Sequence, residues 1–175
     1  MADEKKGMLR HVDVLGRVVI PREVRKALRI NYGDLMEFSA CSNQQVVMRK
    51  FHLIREIAPL ADSIVKVAVA GRNCQIFVLD TEKVVCKNGK KDLPEGNLTQ
   101  ELQNILNNRE AVDKTEKFNL TTDYILEEDC FIQPIVSGGD LLGGVIISSP
   151  DGIGESYRDI ANNIADFLAD YFLNY

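Results

Sequence analysis

Leu15-Gly16-Arg17-Val18-Val19-Ile20-Pro21-Arg22-Glu23-Val24-Arg25-Lys26-Ala27-Leu28-Arg29-Ile30 is the stretch on which the reading of this chain turns. Gly16 allows the backbone to turn sharply after Leu15, Val18–Ile20 is a β-branched run suited to a strand, and Pro21 fits the first position of a helix. From Pro21 the period becomes helical. Val24, Ala27 and Leu28 fall at i, i+3 and i+4 and form an apolar stripe, with Arg22, Arg25, Lys26 and Arg29 on the other side. The expectation is a turn, a short strand and a short helix with one core face and one cationic face.

Outward from this stretch, Met8–Val14 alternates well enough to predict a first strand, and residues 1–6 are polar and expected to fray. Asn31-Tyr32-Gly33-Asp34 reads as a stop and turn. Leu35–Ala40 and Gln45–Lys50 predict a hairpin about Ser42-Asn43-Gln44. Four short strands and two turns of helix in some 45 residues bury too little apolar surface to fold alone, so a partner chain is expected.

Together with Gly7, Val12-Asp13 and Tyr32-Gly33-Asp34-Leu35-Met36-Glu37-Phe38, the quoted stretch resembles the DNA-binding domain of the AbrB family of transition-state regulators. That resemblance covers roughly residues 7–51. It implies a swapped-hairpin dimeric β domain that interleaves two chains, with Arg10, Arg17, Arg25 and Lys26 lining the DNA face. Arg22 and Arg29 join them from the helical spacing. His11 departs from the family pattern, which usually adds a basic residue there, and Lys26 stands where Arg is common. The whole layout, a front domain followed by about 120 residues of mixed pattern, resembles the stage V sporulation protein T group, whose second domain is GAF-like.

The remainder supports that layout. Ile54, Ile57, Ala58, Ala61, Ile64, Val65 and Ala68 recur at helical spacing within Phe51–Gly71, with Pro59 either kinking one long helix or opening a shorter one behind a hinge at residues 51–58. Cys74–Asp80 and Lys83–Lys87 predict a hairpin followed by Gly89, Leu98–Arg109 a helix, and residues 110–128 a polar loop or lid. Cys130–Val136 and Leu141–Ser149 flank the Ser137-Gly138-Gly139-Asp140 turn, and Glu155–Leu173 is a final amphipathic helix. The predicted class is therefore α+β, with a front domain at 1–51, a linker helix at 52–71 and a GAF-like antiparallel sheet with packed helices at 72–175. The first and last helices of that second domain are expected on one face of its sheet.

The 175 residues carry a net charge of −5, which hides an asymmetry. Residues 1–55 hold eleven Lys and Arg against six Asp and Glu, a balance of +5, and the rest holds ten against twenty, a balance of −10. A basic front end on an acidic chain suits one domain that meets a polyanion. The expected partners are double-stranded DNA and further copies of the chain, as a dimer or a tetramer, with no membrane. No long apolar run or signal-peptide core occurs, so the chain reads as cytoplasmic.

Cys41, Cys74, Cys86 and Cys130 show no metal-site spacing, and His11 and His52 are the only histidines, neither near a cysteine in sequence. Counting leaves disulfides open; buried thiols are the expectation. With no nucleophile motif and no phosphate loop, the reading assigns no catalytic residue, no metal and no cofactor. The Gly138-Gly139 and Gly143-Gly144 pairs lie in or beside a hairpin rather than before a helix, and Glu127-Glu128-Asp129 reads as a solvated acidic turn. The second domain is expected either to sense a small-molecule effector under residues 110–128 or to serve assembly with its interior filled by its own side chains. The functional expectation is a sequence-preferring regulator of sporulation genes, activator or repressor. The alternative is an antitoxin of the same fold or a DNA-binding regulator outside sporulation; the long, strongly patterned second domain favours a regulator.

Overall fold

The computed structural model describes residues 7–88 and 93–173, the side chain of Leu173 excepted. The frayed tail expected at 1–6 and the glycine expected at 89 lie outside them. The chain forms two compact units, Met1–Phe51 and His52–Tyr175.

In the first unit, helix α1 (Arg22–Ala27) begins after Pro21, whose carbonyl accepts from Arg25 N at 2.9 Å. It ends with Arg29 in the left-handed region (φ 51°), where Arg29 N donates to Lys26 O at 3.3 Å and Ile30 N to Arg25 O at 2.8 Å. These two bonds are a Schellman closure, which satisfies carbonyls that the last turn would leave bare. Arg29 therefore stands beyond the helix and not on its cationic face, a correction to the spacing argument. The hairpin of β1 (Met36–Cys41) and β2 (Gln45–Lys50) pairs Phe38 with Met48 and Ala40 with Val46. Lys50 fastens it to the helix end, with Nζ 3.1 Å from Asp34 Oδ2 and donating to Arg29 O at 3.3 Å.

Met8–Val14 and Val18–Ile20, expected as strands, form none. A strand exists only through its ladder, and no neighbouring backbone in the single chain is available to pair with these segments. Their apolar side chains, Leu9, Val12, Val14, Leu15, Val18 and Val19, are exposed, as is the Phe38 and Val46 face of the hairpin. No described residue of this unit is buried.

The second unit is built on a five-stranded antiparallel sheet in the order β4-β3-β9-β8-β5, from β3 (Gln75–Leu79), β4 (Val84–Lys87), β5 (Val112–Lys114), β8 (Cys130–Ser137) and β9 (Asp140–Ser148). A two-stranded pair, β6 (Phe118–Asn119) and β7 (Ile125–Leu126), lies outside it. The expected lid at 110–128 is thus partly sheet. Its β5 is anchored by ion pairs to both flanking helices: Lys114 Nζ to Glu101 Oε1 at 2.7 Å, and Arg158 Nη2 to Asp113 Oδ1 at 3.0 Å.

Helices cover both faces of the sheet. On one, α3 (Ala58–Ala68) and α5 (Glu155–Leu173) share a core with Ile76, Val78, Val145 and Ile147. Pro59 sits in the first turn of α3, and a separate turn, α2 (Leu53–Glu56), precedes it. Ile54 of α2 is fully buried, so residues 53–56 are packed structure and not a slack hinge. On the other face, α4 (Gln100–Asn108) sends Leu102 and Leu106 against Phe77, Leu79, Ile132 and Ile146. Thr99 caps it by accepting from Leu102 N at 3.4 Å, and donates to Asn119 O at 2.8 Å. Alternation along β3 feeds both cores at once, Ile76 and Val78 to one and Phe77 and Leu79 to the other.

The buried Asp80 closes the β3–β4 turn. Its Oδ1 accepts from Glu82 N and Lys83 N, both at 2.6 Å, and its Oδ2 accepts from Arg55 Nε at 3.0 Å. One carboxylate thereby pins α2 to the sheet.

Candidate nucleic-acid interface

The loop that carries Arg17 is organised by Asp13. Asp13 N donates to Arg17 O at 3.0 Å and Gly16 N to Asp13 O at 2.9 Å, a tight turn that Gly16 closes with φ +77°. The Asp13 carboxylate then accepts three more bonds: Leu15 N and Arg17 N on Oδ1, both at 2.9 Å, and Arg17 Nε on Oδ2 at 2.7 Å. The backbone bond from Arg17, then its side-chain bond, holds the Asp13 carboxyl below its ordinary 3.8. The sign follows: the clasp is at full strength above that value and is lost only as pH falls through the depressed one.

Arg17 is clasped through Nε alone, and its side chain remains 72% exposed. Its two terminal nitrogens make no bond to any described residue, so the outer edge of the guanidinium faces solvent. Arg10 donates to Leu9 O at 2.9 Å and pairs with no carboxylate among the described residues. Arg22, Arg25 and Lys26 project from α1 and are exposed, with Arg29 exposed just past its end. The six cations expected from the sequence therefore all lie on the first unit, five of them between residues 17 and 29. What the sequence reading missed is Asp13. It stands there only within the AbrB-like resemblance, although an Asp three residues before Gly-Arg suits a side chain that caps its own turn.

A guanidinium and ammonium set of this kind grips phosphate oxygens, and an outward guanidinium edge matches the O6 and N7 acceptors of guanine. Among the described residues no His, Cys, Asp and Glu group could hold a metal ion. The four cysteines carry free thiols. Burial pushes those of Cys86 and Cys130 up to about 12.

Residues 56–171 match the family model described as stage V sporulation protein T C-terminal, transcription factor. The chain belongs to this family. It is 29% identical over 169 residues to stage V sporulation protein T of Bacillus subtilis (strain 168), an alignment that covers 93% of this chain and 95% of that one. At 93% of the chain, the alignment takes in part of both units. Among solved structures, the type II free methionine-R-sulfoxide reductase of Thermoplasma acidophilum is similar with a TM-score of 0.52 and 12% identity, over 67% of this chain and 93% of that one. A methyl-accepting chemotaxis protein, residues 122 to 287, is similar with a TM-score of 0.51 and 16% identity, over 69% and 88%. At such identities these two share the fold and no more, and the family places that fold in a transcription factor. No described helix is long and apolar enough to cross a membrane.

Proposed function

We propose that this family member is a sequence-preferring DNA-binding regulator of sporulation genes that acts in the cytoplasm. Its first unit contacts duplex DNA through Arg10, Arg17, Arg22, Arg25, Lys26 and Arg29. The observation that carries the reading is the concentration of exposed cations on one unit of an acidic chain, in a family described as transcription factors. Arg10, Arg25 and Lys26 act on phosphates and supply affinity, and Arg17 reads a base edge or a narrow groove.

The first unit completes its core by interleaving with a second copy. The exposed Phe38 and Val46 face and the unpaired segments before α1 support this, since burial of those side chains is worth about 1.5–3 kcal/mol each. In the second unit, exposed Phe167 and Tyr171 on α5 offer a further surface for a tetramer. The interior beneath α4 favours assembly over effector sensing. Leu102, Leu106, Leu120 and Leu126 fill it, and a Cβ on Gly144 would meet Leu106 Cδ2 at 2.6 Å.

The test is fluorescence anisotropy of labelled duplex DNA titrated with the full chain across a salt series. Four or more phosphate contacts per subunit in a dimer predict a log–log salt slope of several units, at about −0.9 per neutralised phosphate. Absence of binding to any duplex at low salt overturns the reading.

A further inference from the structure

Asp13 is an acid within four residues of Arg10 and Arg17, on a unit whose charge balance is positive, and bulk electrostatics alone gives it no reason to be there. Its bonds supply one. The same carboxylate that caps the 13–17 turn through Oδ1 holds Arg17 Nε through Oδ2, so turn and guanidinium are fixed as one body. An arginine on an unrestrained loop loses rotamer freedom when it docks, whereas this one has lost it beforehand. With Nε engaged, the two terminal nitrogens are left as a pair free of described partners, an arrangement that suits an end-on bidentate contact to guanine O6 and N7.

We propose that Asp13 is a positioning residue for DNA recognition: it orients Arg17 for a paired contact and so raises sequence preference, while its charge lowers affinity for arbitrary DNA. The inference rests on the DNA-binding reading of Arg17. It differs from a purely structural role because turn capping needs only an oxygen acceptor, whereas the clasp needs the carboxylate charge. A negative charge held against the DNA face also opposes binding wherever the Arg17 contact is not made, which widens the gap between right and wrong sequences.

The experiment uses the full chain as Arg17→Ala, Asp13→Asn and the double variant. The probes are a duplex enriched from a random-sequence library by the unaltered protein, and the unselected library itself, across a sodium chloride series. Asn keeps the oxygen for Leu15 N and Arg17 N but drops the charge. Asp13→Asn is expected to bind the unselected library more tightly, with a salt slope steeper by about 0.9 per bound subunit. Its ratio of enriched to unselected affinity falls at least about fivefold. In the Arg17→Ala background the same substitution leaves that ratio where Arg17→Ala put it. Asp13→Ser, with a shorter capping oxygen and no charge, shifts the ratio in the same direction, so a peculiarity of Asn cannot mimic the result. The inference is overturned if Asp13→Asn keeps the ratio, or lowers it equally with and without Arg17. If Arg17→Ala itself binds both probes as the unaltered protein does, the fault lies with the DNA reading of Arg17.

Discussion

Single residues set both the chemistry of the surface and the limits of the interior. The exposure of Arg22, Arg25 and Lys26 was legible from spacing because a charge on a short helix has few places to go but outward, whereas Arg10 and Arg17 came from the family resemblance and Arg29 lies past the helix end. Asp13 was not, since an acid beside an arginine reads equally as a loose surface pair. Only the backbone path from Asp13 to Arg17 brings both oxygens to bear. Inside, Cys86 and Cys130 behave as small apolar residues whose thiols stay protonated up to about 12. In the unfolded chain they ionise near the ordinary 9.0. A folded value raised above the unfolded one means that their contribution is complete below about pH 9 and declines above it. The decline is about 1.4 kcal/mol per pH unit for each thiol. Urea unfolding between pH 8 and 11 should show a shallower fall in the Cys86→Ala, Cys130→Ala double variant than in the unaltered chain; equal slopes would refute the assignment. Cys41 is exposed, and at neutral pH it should react with a thiol-specific reagent before either buried cysteine.

At the scale of elements, hairpins and long helices were readable because their patterns are local. Val84–Lys87 pairs across a tight turn with Gln75–Leu79, and Glu155–Leu173 repeats its apolar stripe over five turns. Residues 110–128 were not readable. Phe118, Leu120 and Leu126 are buried within a mostly polar run, and β5 is held by ion pairs to residues 13 and 45 positions away in sequence. Neither feature leaves a period to detect. Met8–Val14 shows the opposite failure, a strand-like pattern with no ladder in its own chain. The tightest constraint on an element is at Gly143, where a Cβ would stand 2.0 Å from the Leu79 carbonyl oxygen of the neighbouring strand. Gly143→Ala should cost about 3 kcal/mol, because backbone on both sides must move. Gly138→Ala, in an open turn with φ +59°, should cost only about 1 kcal/mol. Urea midpoints of the two variants test this ordering, and equal losses would show that β3 and β9 are looser at that point than drawn.

For the molecule as a whole, the two units differ in how complete they are. The second has a core on each face of its sheet and should unfold in one cooperative step. The first has no buried described residue, and on the dimer reading it is stable only as a pair. Amide hydrogen exchange over Met36–Lys50 should therefore slow as protein concentration rises, while exchange over Cys130–Ser148 stays constant. Protection of the hairpin that ignores concentration would contradict pairing through this unit. Asp80→Ala should weaken the second unit by about 2–3 kcal/mol, because it strips the acceptor from two backbone donors and from Arg55 at once.

The bare first unit has one more consequence, for dosage. On the proposed reading, in which the DNA-binding unit is finished only in pairs, the active form grows in number faster than the chain itself is made, roughly as the square of its abundance while most copies are single. A modest rise in synthesis would then appear at the promoter as a sharper one, and a cell could set the moment of commitment by translation rate alone.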